Sequence, residues 1–491
     1  MLTCRITPMV VALSLLACTR GSCAPSAENC TERYRRVLEW NGGIAAEFRD
    51  EDTPANRLTR RARSMHEVAR GLLAECPAGG PLSPEQVARV EIFAARLDLV
   101  LSKVIEAETR QQLQAHVEKE ALSNAVEERH RAYLAGIVER CDSALALLEP
   151  GDGSRLDGIR IIGQASAAAR DDSRARDAYE LFLGEFDLVE GRDPAEAAEV
   201  TGWLGTVYQR LELFDEGIAL LEDALKRYEK TPSAPRFLET LWTLQLARGD
   251  IEAMARTSRR AIEEVPRRLE ELKLSPRKSV VYEGHVVFHL FRLAQAELAL
   301  GNAGRAESLL REHLAAVERA EKAGGAPAAW RVHRDLAVAL LGFVRESAGR
   351  PAPPLDLESG WLDGEPWSLA RGRGKVLAIL FRLPGNDRSA LFLERLNARI
   401  ASRDDVEIVV VSLLMEGDSV AEMREELAAL GFRGRAVAVR DRAVFDAFGA
   451  WVGTATFQLV DRDGNLQWFQ LDPRAIDVRF STAIIDRLAG Q

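Results

Sequence analysis

Thiols and imidazoles are the side chains that most readily attack a substrate, pass protons or hold a metal, and in this chain both run out well before the end. The last of the six cysteines is Cys141 and the last of the seven histidines is His333, so the long stretch beyond them has neither nucleophilic sulfur nor an imidazole base. Cys30 and Cys76 lie near the ends of two candidate helices and are candidates for a bridge across a helical hairpin. With Cys23 and Cys141 they allow three connectivities, and Cys141, inside an apolar helical pattern, reads equally as an unpaired core residue. His285 and His289 are four residues apart beside Glu283, a spacing that puts both rings on one helix face as a zinc site would require. No glutamate follows His285 in the metalloprotease arrangement, and packing against neighbouring helices is the better reading. Arg371, Arg373 and Lys375 read as a solvated lead-in to a strand. No phosphate-cradling glycine loop and no Ser-His-Asp arrangement is present, so the pattern implies no metal and no cofactor.

The elements that would have to position a reaction centre are clearest between Arg373 and Ser389. Val376 to Phe381 is an apolar run of the length and branching expected for a strand buried on both faces. Pro384, Gly385, Asn386 and Asp387 make a turn, after which Leu391, Leu393, Leu396 and Ile400 recur at helical spacing. Further on, Val406 to Leu413 (VEIVVVSL) reads as a second central strand, and Phe457 to Gly464 as a strand ending in an Asp-Gly turn. With Leu362-Asp363-Gly364 and Ser368-Leu369 as a leading hairpin, and Phe445-Asp446-Ala447-Phe448-Gly449 before a turn, this order resembles the thioredoxin-like fold. Within it, the region is similar to the TlpA-like and peroxiredoxin-like redoxins of bacterial envelopes, from about Pro354 to the end of the sequence.

The resemblance implies a Cys-x-x-Cys motif at the start of the helix after the first central strand, where free N–H groups and the helix dipole favour a thiolate. Counted from Phe381, that motif falls on Asn386-Asp387-Arg388-Ser389, so Asn386 and Ser389 stand where the two cysteines would be. A peroxiredoxin-style count from Pro384 lands near Leu391, which is no better a nucleophile. The family's cis-proline aligns with Ala455, whose peptide bond is expected to be trans because a non-proline cis bond costs about 2.5–4 kcal/mol. Asn386, Ser389 and Ala455 are thus degenerate redox positions, and no catalytic residue is assigned.

A hydrophobic content of 47% and a charged content of 29% are ordinary for folded globular protein, and 491 residues suffice for several cores. The net charge of −10 excludes a general nucleic-acid binder, which needs a basic face for phosphates. Near the start, Met9 to Leu16 forms a short apolar core with the size of a signal peptide's, preceded by Arg5. Leu15-Leu16-Ala17-Cys18 resembles the bacterial lipobox. This implies a signal peptide over residues 1–17, lipidation of Cys18, and a mature protein anchored in the bacterial envelope; the alternative is a secreted protein cut near Ala24. At about 0.8 kcal/mol per buried methylene, a diacyl anchor holds stably.

Residues 27–150 read as a helical N-terminal region, with N-cap signals at Thr53-Pro54 and Ser83-Pro84 and a long apolar face from Val87 to Val104. The polar stretch from Glu106 to Arg131 either continues that helix or breaks it. From residue 151 to 350 the pattern is that of stacked helical repeats. Leu204, Gly205, Tyr208, Phe214, Gly217, Leu221 and Ala224 fall at the offsets of a tetratricopeptide repeat, and the units starting at Pro235 and Val287 repeat the pattern. An insertion near Arg267 to Glu283 is expected to interrupt the stacking. Helices upstream, from about Leu156, are expected to belong to the same array, and Pro351 to Pro354 (PAPP) reads as a stiff linker to residues 355–491.

The fold expected is therefore multidomain, an all-α tetratricopeptide-like array followed by an α/β thioredoxin-like domain. The function expected is protein or peptide binding through the array's concave side, with Phe288 and Phe291 as candidate groove residues, beside a redox-inactive domain. The alternative is a thiol-disulfide oxidoreductase or peroxiredoxin-like antioxidant protein of the envelope, which would have to recruit its thiols from the N-terminal half or from a partner.

Overall fold

Residues that satisfy the free N–H groups of a first turn decide where many of these helices begin. In the computed structural model, which describes residues 27–49, 55–76, 80–114, 119–272, 276–322, 328–355, 357, 360–474 and 477–490, Ser83 opens a long helix with a reciprocal cap. Its Oγ accepts the Gln86 amide at 3.3 Å while Gln86 Oε1 accepts the Ser83 amide at 2.9 Å. The chain divides into two compact units, Met1–Arg192 and Asp193–Gln491.

The first unit contains α1 (Ala27–Arg49), α2 (Ala55–Glu75), α3 (Pro84–Leu113), α4 (Lys119–Leu145), α5 (Gly153–Ala169) and α6 (Asp172–Phe186). The polar stretch after Glu106 is broken, since α3 ends at Leu113 and α4 starts at Lys119. Cys30 on α1 is disulfide-bonded to Cys76 at the end of α2, with Cα atoms 6.2 Å apart. Both are buried among Tyr34, Met65, Leu72, Phe93 and Leu97. Closing a loop of this span stabilises by about 2–4 kcal/mol. Inside this unit α5 packs on α3, α4 and α6.

The second unit opens on three helical hairpins: α7 (Pro194–Arg210) with α8 (Phe214–Arg227), α9 (Ala234–Arg248) with α10 (Ile251–Leu272), and α11 (Pro276–Ala299) with α12 (Ala303–Lys322). A further helix, α13 (Ala328–Glu346), follows. The small repeat positions do the work expected of them. A Cβ on Gly217 would lie 3.2 Å from the Tyr208 Cβ and 2.9 Å from a Leu244 methyl, so only glycine lets α8 approach both α7 and α9 this closely. The insertion does not interrupt the stacking. It is absorbed by lengthening α10 to Leu272 and by starting α11 at Pro276, and the buried residues of both helices join one core.

The α/β part follows as β1 (Val376–Arg382), α14 (Asp387–Ile400), β2 (Val406–Leu413), α15 (Val420–Ala429), β3 (Arg435–Val439), α16 (Ala443–Ala447), β4 (Thr456–Val460), β5 (Leu466–Leu471) and α17 (Val478–Ala489). The sheet order is β3-β2-β1-β4-β5, with β1, β2 and β3 mutually parallel and β4 and β5 antiparallel. A βαβ unit joined to a hairpin and a closing helix is a thioredoxin-like arrangement. Both faces of β1 are covered, which is why its seven residues are all buried. Phe381 packs on Phe445 and Phe448, Phe392 on Phe457, and Trp468 on Phe480. The expected leading hairpin is replaced by single bridges from Leu357 to Trp367 and from Trp361 to Val437, closed by a 3-10 turn at Leu369–Gly372.

The chain across residues 349–352 is hydrogen-bonded to the sheet domain. Strand β5 is a sheet edge whose polar groups need partners, and the chain leaving α13 supplies them. The Gly349 amide donates to Leu466 O at 2.7 Å, Leu466 N to Arg350 O at 2.9 Å, and Ala352 N to Gly464 O at 2.9 Å. Phe343 of α13 stacks on Phe469 of β5 at 5.3 Å. Helix α17 completes the junction: Arg487 donates to the carbonyls of Ala299 and Leu300, the last acceptors of α11. Gly249, at φ +84° after α9, lies so near α17 that a Cβ there would sit 2.8 Å from Arg479 O. The repeats and the sheet therefore share one core across residues 242–488.

Candidate functional site

The start of α14 is built by a side-chain cap. Asn386, at φ −86° and ψ 95°, precedes the helix and its Oδ1 accepts the Ser389 amide at 3.1 Å. The Ser389 hydroxyl donates back to the Asn386 carbonyl at 2.9 Å and is buried, its residue only 1% exposed. Both positions expected to correspond to redox cysteines are thus committed to holding the helix end. Leu391 is exposed, on the outer surface of the same helix.

Across from the cap, Ala455 is buried, and no cis peptide bond occurs among the described residues. Its carbonyl accepts the Asp472 amide at 2.9 Å, and the Asp472 carboxylate meets Arg388 of α14 at 3.2 Å. An ion pair therefore ties the first turn of α14 to the residue bonded to Ala455. Next to it Trp451, its amide donating to Thr456 Oγ1 at 3.1 Å, leaves its side chain exposed.

The end of β1 carries a group that sequence reasoning missed. Arg382 is buried, with its guanidinium bonded to Glu426 of α15 and to the Leu383 carbonyl at 3.3 Å. No pattern in the sequence marks it, because an arginine ending an apolar run reads as the surface residue after a strand.

The thiols lie elsewhere. Cys30 and Cys76 are consumed by their disulfide, and burial pushes the Cys141 thiol up to about 12, which makes it a poor nucleophile at neutral pH. Cys18 and Cys23 fall outside the described residues.

Among the repeats, Phe288 and Phe291 face other helices of their own array. The Phe288 ring centroid is 4.5 Å from that of His333 on α13, and the Phe291 ring is 5.7 Å from that of His313 on α12. Phe291 is buried and Phe288 half-buried, and each ring packs against residues of α12 or α13, the alternative that the helical spacing leaves open beside a groove position. His285 and His289 also diverge. His285 Nδ1 lies 3.2 Å from the Glu239 carboxylate of α9, whereas His289 Nδ1 lies 3.4 Å from Ser258 Oγ of α10. The bond to His285, reinforced by Arg292, holds the Glu239 carboxyl down at about 2 despite burial. Burial pushes His289 well below its ordinary value and His333 down to about 4, so both rings are neutral packing groups.

One open cleft of the array lies between α7 and α9, the first helices of two successive repeats. A cleft of about 220 Å³ opens there, lined by Glu199, Gly202, Trp203, Thr206, Arg236 and Glu239. Gly202 leaves the floor low and Trp203 supplies an aromatic wall. Thr206 and Arg236 are exposed, and Glu199, Gly202, Trp203 and Glu239 are half-buried between the repeat's core positions.

No protein-family model matches the chain, and no curated protein does. Solved structures that match include a putative thiol:disulfide interchange protein DsbE from Chlorobium tepidum, at 19% identity over 29% of this chain and 99% of that one, with a TM-score of 0.26. A putative protein disulfide isomerase from Bacteroides thetaiotaomicron matches at 15% identity over 29% of this chain and 91% of that one, with a TM-score of 0.25. The thioredoxin domain of a thiol-disulfide oxidoreductase from Bacteroides vulgatus matches at 18% identity over 28% of this chain and 94% of that one, with a TM-score of 0.24.

Proposed function

We propose that the chain is an envelope lipoprotein that holds an extended protein segment in the cleft between α7 and α9, and that its thioredoxin-like domain is a redox-inactive buttress. The observation that carries this reading is the contrast between the two candidate sites. Asn386 and Ser389 are spent on capping α14, while the cleft presents Trp203 with unlike charges, Glu199 and Arg236, on its walls. An aromatic wall with polar groups at its rim is the composition of a peptide-binding surface.

A photo-crosslinking amino acid placed at Trp203 in the full chain is expected to give discrete adducts in envelope preparations. The same group at Glu222, exposed on α8, is expected to give none. Equal adducts from both positions, or none from either, would sink the cleft reading. The full chain is also expected to reduce an insulin disulfide no faster than dithiol alone, because disulfide exchange needs an attacking thiolate and a leaving sulfur. Turnover abolished by Cys141→Ser would contradict the buttress role.

Anchoring through Cys18 is supported by the apolar run and lipobox-like residues before it. Among the described residues no helix is long and apolar enough to cross a membrane. Cys18→Ala is expected to move the protein from the membrane fraction to the soluble one or to stall its processing. A wild-type mature N-terminus near Pro25 without acyl groups would refute the anchor.

A further inference from the structure

Among the described residues Trp451 is the only aromatic side chain that is exposed, at 46%, and it enters no ring pair or cation–π contact with any of them. With Phe343, Phe448 and Phe469 it lines a cleft of about 170 Å³ where α13 meets β5 and the end of α16. The three phenylalanines are buried and held in place, Phe343 stacked on Phe469 at 5.3 Å and Phe448 packed on Phe381 at 5.0 Å. On the α13 side a Cβ at Gly342 would meet no atom within 4 Å, so nothing fills the space beside it. One charged side chain completes the lining, Glu346, which is exposed and forms no ion pair among the described residues. The cations next to it in sequence are committed elsewhere and do not line the cleft: Arg345 meets Glu307 at 2.8 Å, and Arg350 donates to the Arg345 carbonyl at 3.0 Å.

We propose that this cleft binds an organic cation through a trimethylammonium group such as that of choline. The faces of aromatic rings carry negative potential, and a quaternary ammonium, whose charge is spread over its methyl groups, can be surrounded by rings with a carboxylate at the rim. The lining has that composition and no cation to compete with the ligand. A metal ion would need several oxygen ligands, and a sugar ring several hydroxyl partners, whereas the polar side chains here are Glu346 and Ser347 alone. A neutral apolar group would leave the Glu346 charge unanswered. The volume lies well under the ~300 Å³ at which pockets for drug-sized ligands begin, which suits one headgroup.

Titration calorimetry of the full chain with choline chloride, measured against equal potassium chloride, tests the assignment. Saturable heat is expected. Trp451→Ala is expected to weaken binding on the order of tenfold, Trp451→Phe to keep most of it, and Glu346→Gln to weaken it by about threefold, since an exposed carboxylate is screened by water. Leu188→Ala, an equally exposed apolar truncation in the first unit, is expected to leave the affinity within about twofold. The neutral alcohol in which carbon replaces the choline nitrogen separates charge from shape, and it should bind several-fold more weakly than choline. Absence of saturable heat, equal binding of that neutral alcohol, equal weakening by Leu188→Ala, or tighter binding of glucose than of choline would overturn the proposal. Flotation of the Cys18→Ala chain with phosphatidylcholine vesicles separates the two sources of such a group. Protein that rises with them, but not when Trp451→Ala is added, binds a lipid headgroup; protein that stays below yet binds choline takes a soluble ligand.

Discussion

Asp157→Asn is expected to destabilise the first unit by about 3–5 kcal/mol. The carboxylate, on α5 and only 9% exposed, lies 2.6 Å from Arg96, 3.1 Å from Arg192 and 3.5 Å from Arg160. Removing its charge leaves three guanidiniums, exposed by 13%, 18% and 14%, facing one another with little water to screen them. Burial by itself would raise the Asp157 carboxyl, but Arg96, Arg192 and Arg160 together hold it below its ordinary value of 3.8. A depressed carboxyl contributes stability that is fully present above the unfolded value and is lost as pH falls through the folded one. Wild type and variant should therefore differ most near neutral pH and converge in acid below 3.8. Urea unfolding followed by circular dichroism measures the difference. A loss under about 1 kcal/mol at pH 7 would mean the arginines are satisfied by other groups.

Nothing in the sequence singles out Asp157. On a helix an aspartate followed three residues later by Arg160 reads as an exposed pair, and the partners that decide its environment come from α3 and from Arg192 beyond α6. The same limit separates what was legible in the fold from what was not. Strands β1, β2 and β4 announce themselves as apolar runs, and Ser83 and Asp193 before proline announce helix starts, because these signals are local. Strand β3 has only five residues, and its apolar run of four, Ala436 to Val439, is too short to tell a strand from a helix turn by period alone. Phe288 and Phe291 show the ambiguity of period alone. A repeat's first helix has one face toward the groove and another toward its neighbours, and helical spacing does not say which residue takes which. At the candidate site, counting from β1 leads to Asn386 and Ser389, while Ala455 comes only from the resemblance. Their hydrogen bonds and the tie between Arg388 and Asp472, 84 residues apart, depend on the folded chain.

The second large loss is expected at Arg382, the buried charge that ends the apolar strand β1. Its side chain is 1% exposed, and its charge is balanced by Glu426, itself 27% exposed, together with the Leu383 carbonyl. Arg382→Ala removes the cation, leaves Glu426 facing the vacated space, and opens a cavity beside α15. Breaking a buried pair from one side costs about 3–5 kcal/mol. The partial exposure of Glu426, which lets water reach the orphaned carboxylate, places the expected loss near the lower end. Replacing both partners, as Arg382→Met with Glu426→Gln, refills the volume and leaves no buried charge, so most of the lost stability should return. The cycle of Arg382→Met, Glu426→Gln and both together separates charge from packing: a coupling of about 1–3 kcal/mol assigns the loss to the pair. Additive single losses would show that Arg382 acts only as filling, and a fully stable Arg382→Ala protein would show that the pair does not hold the end of β1 at all.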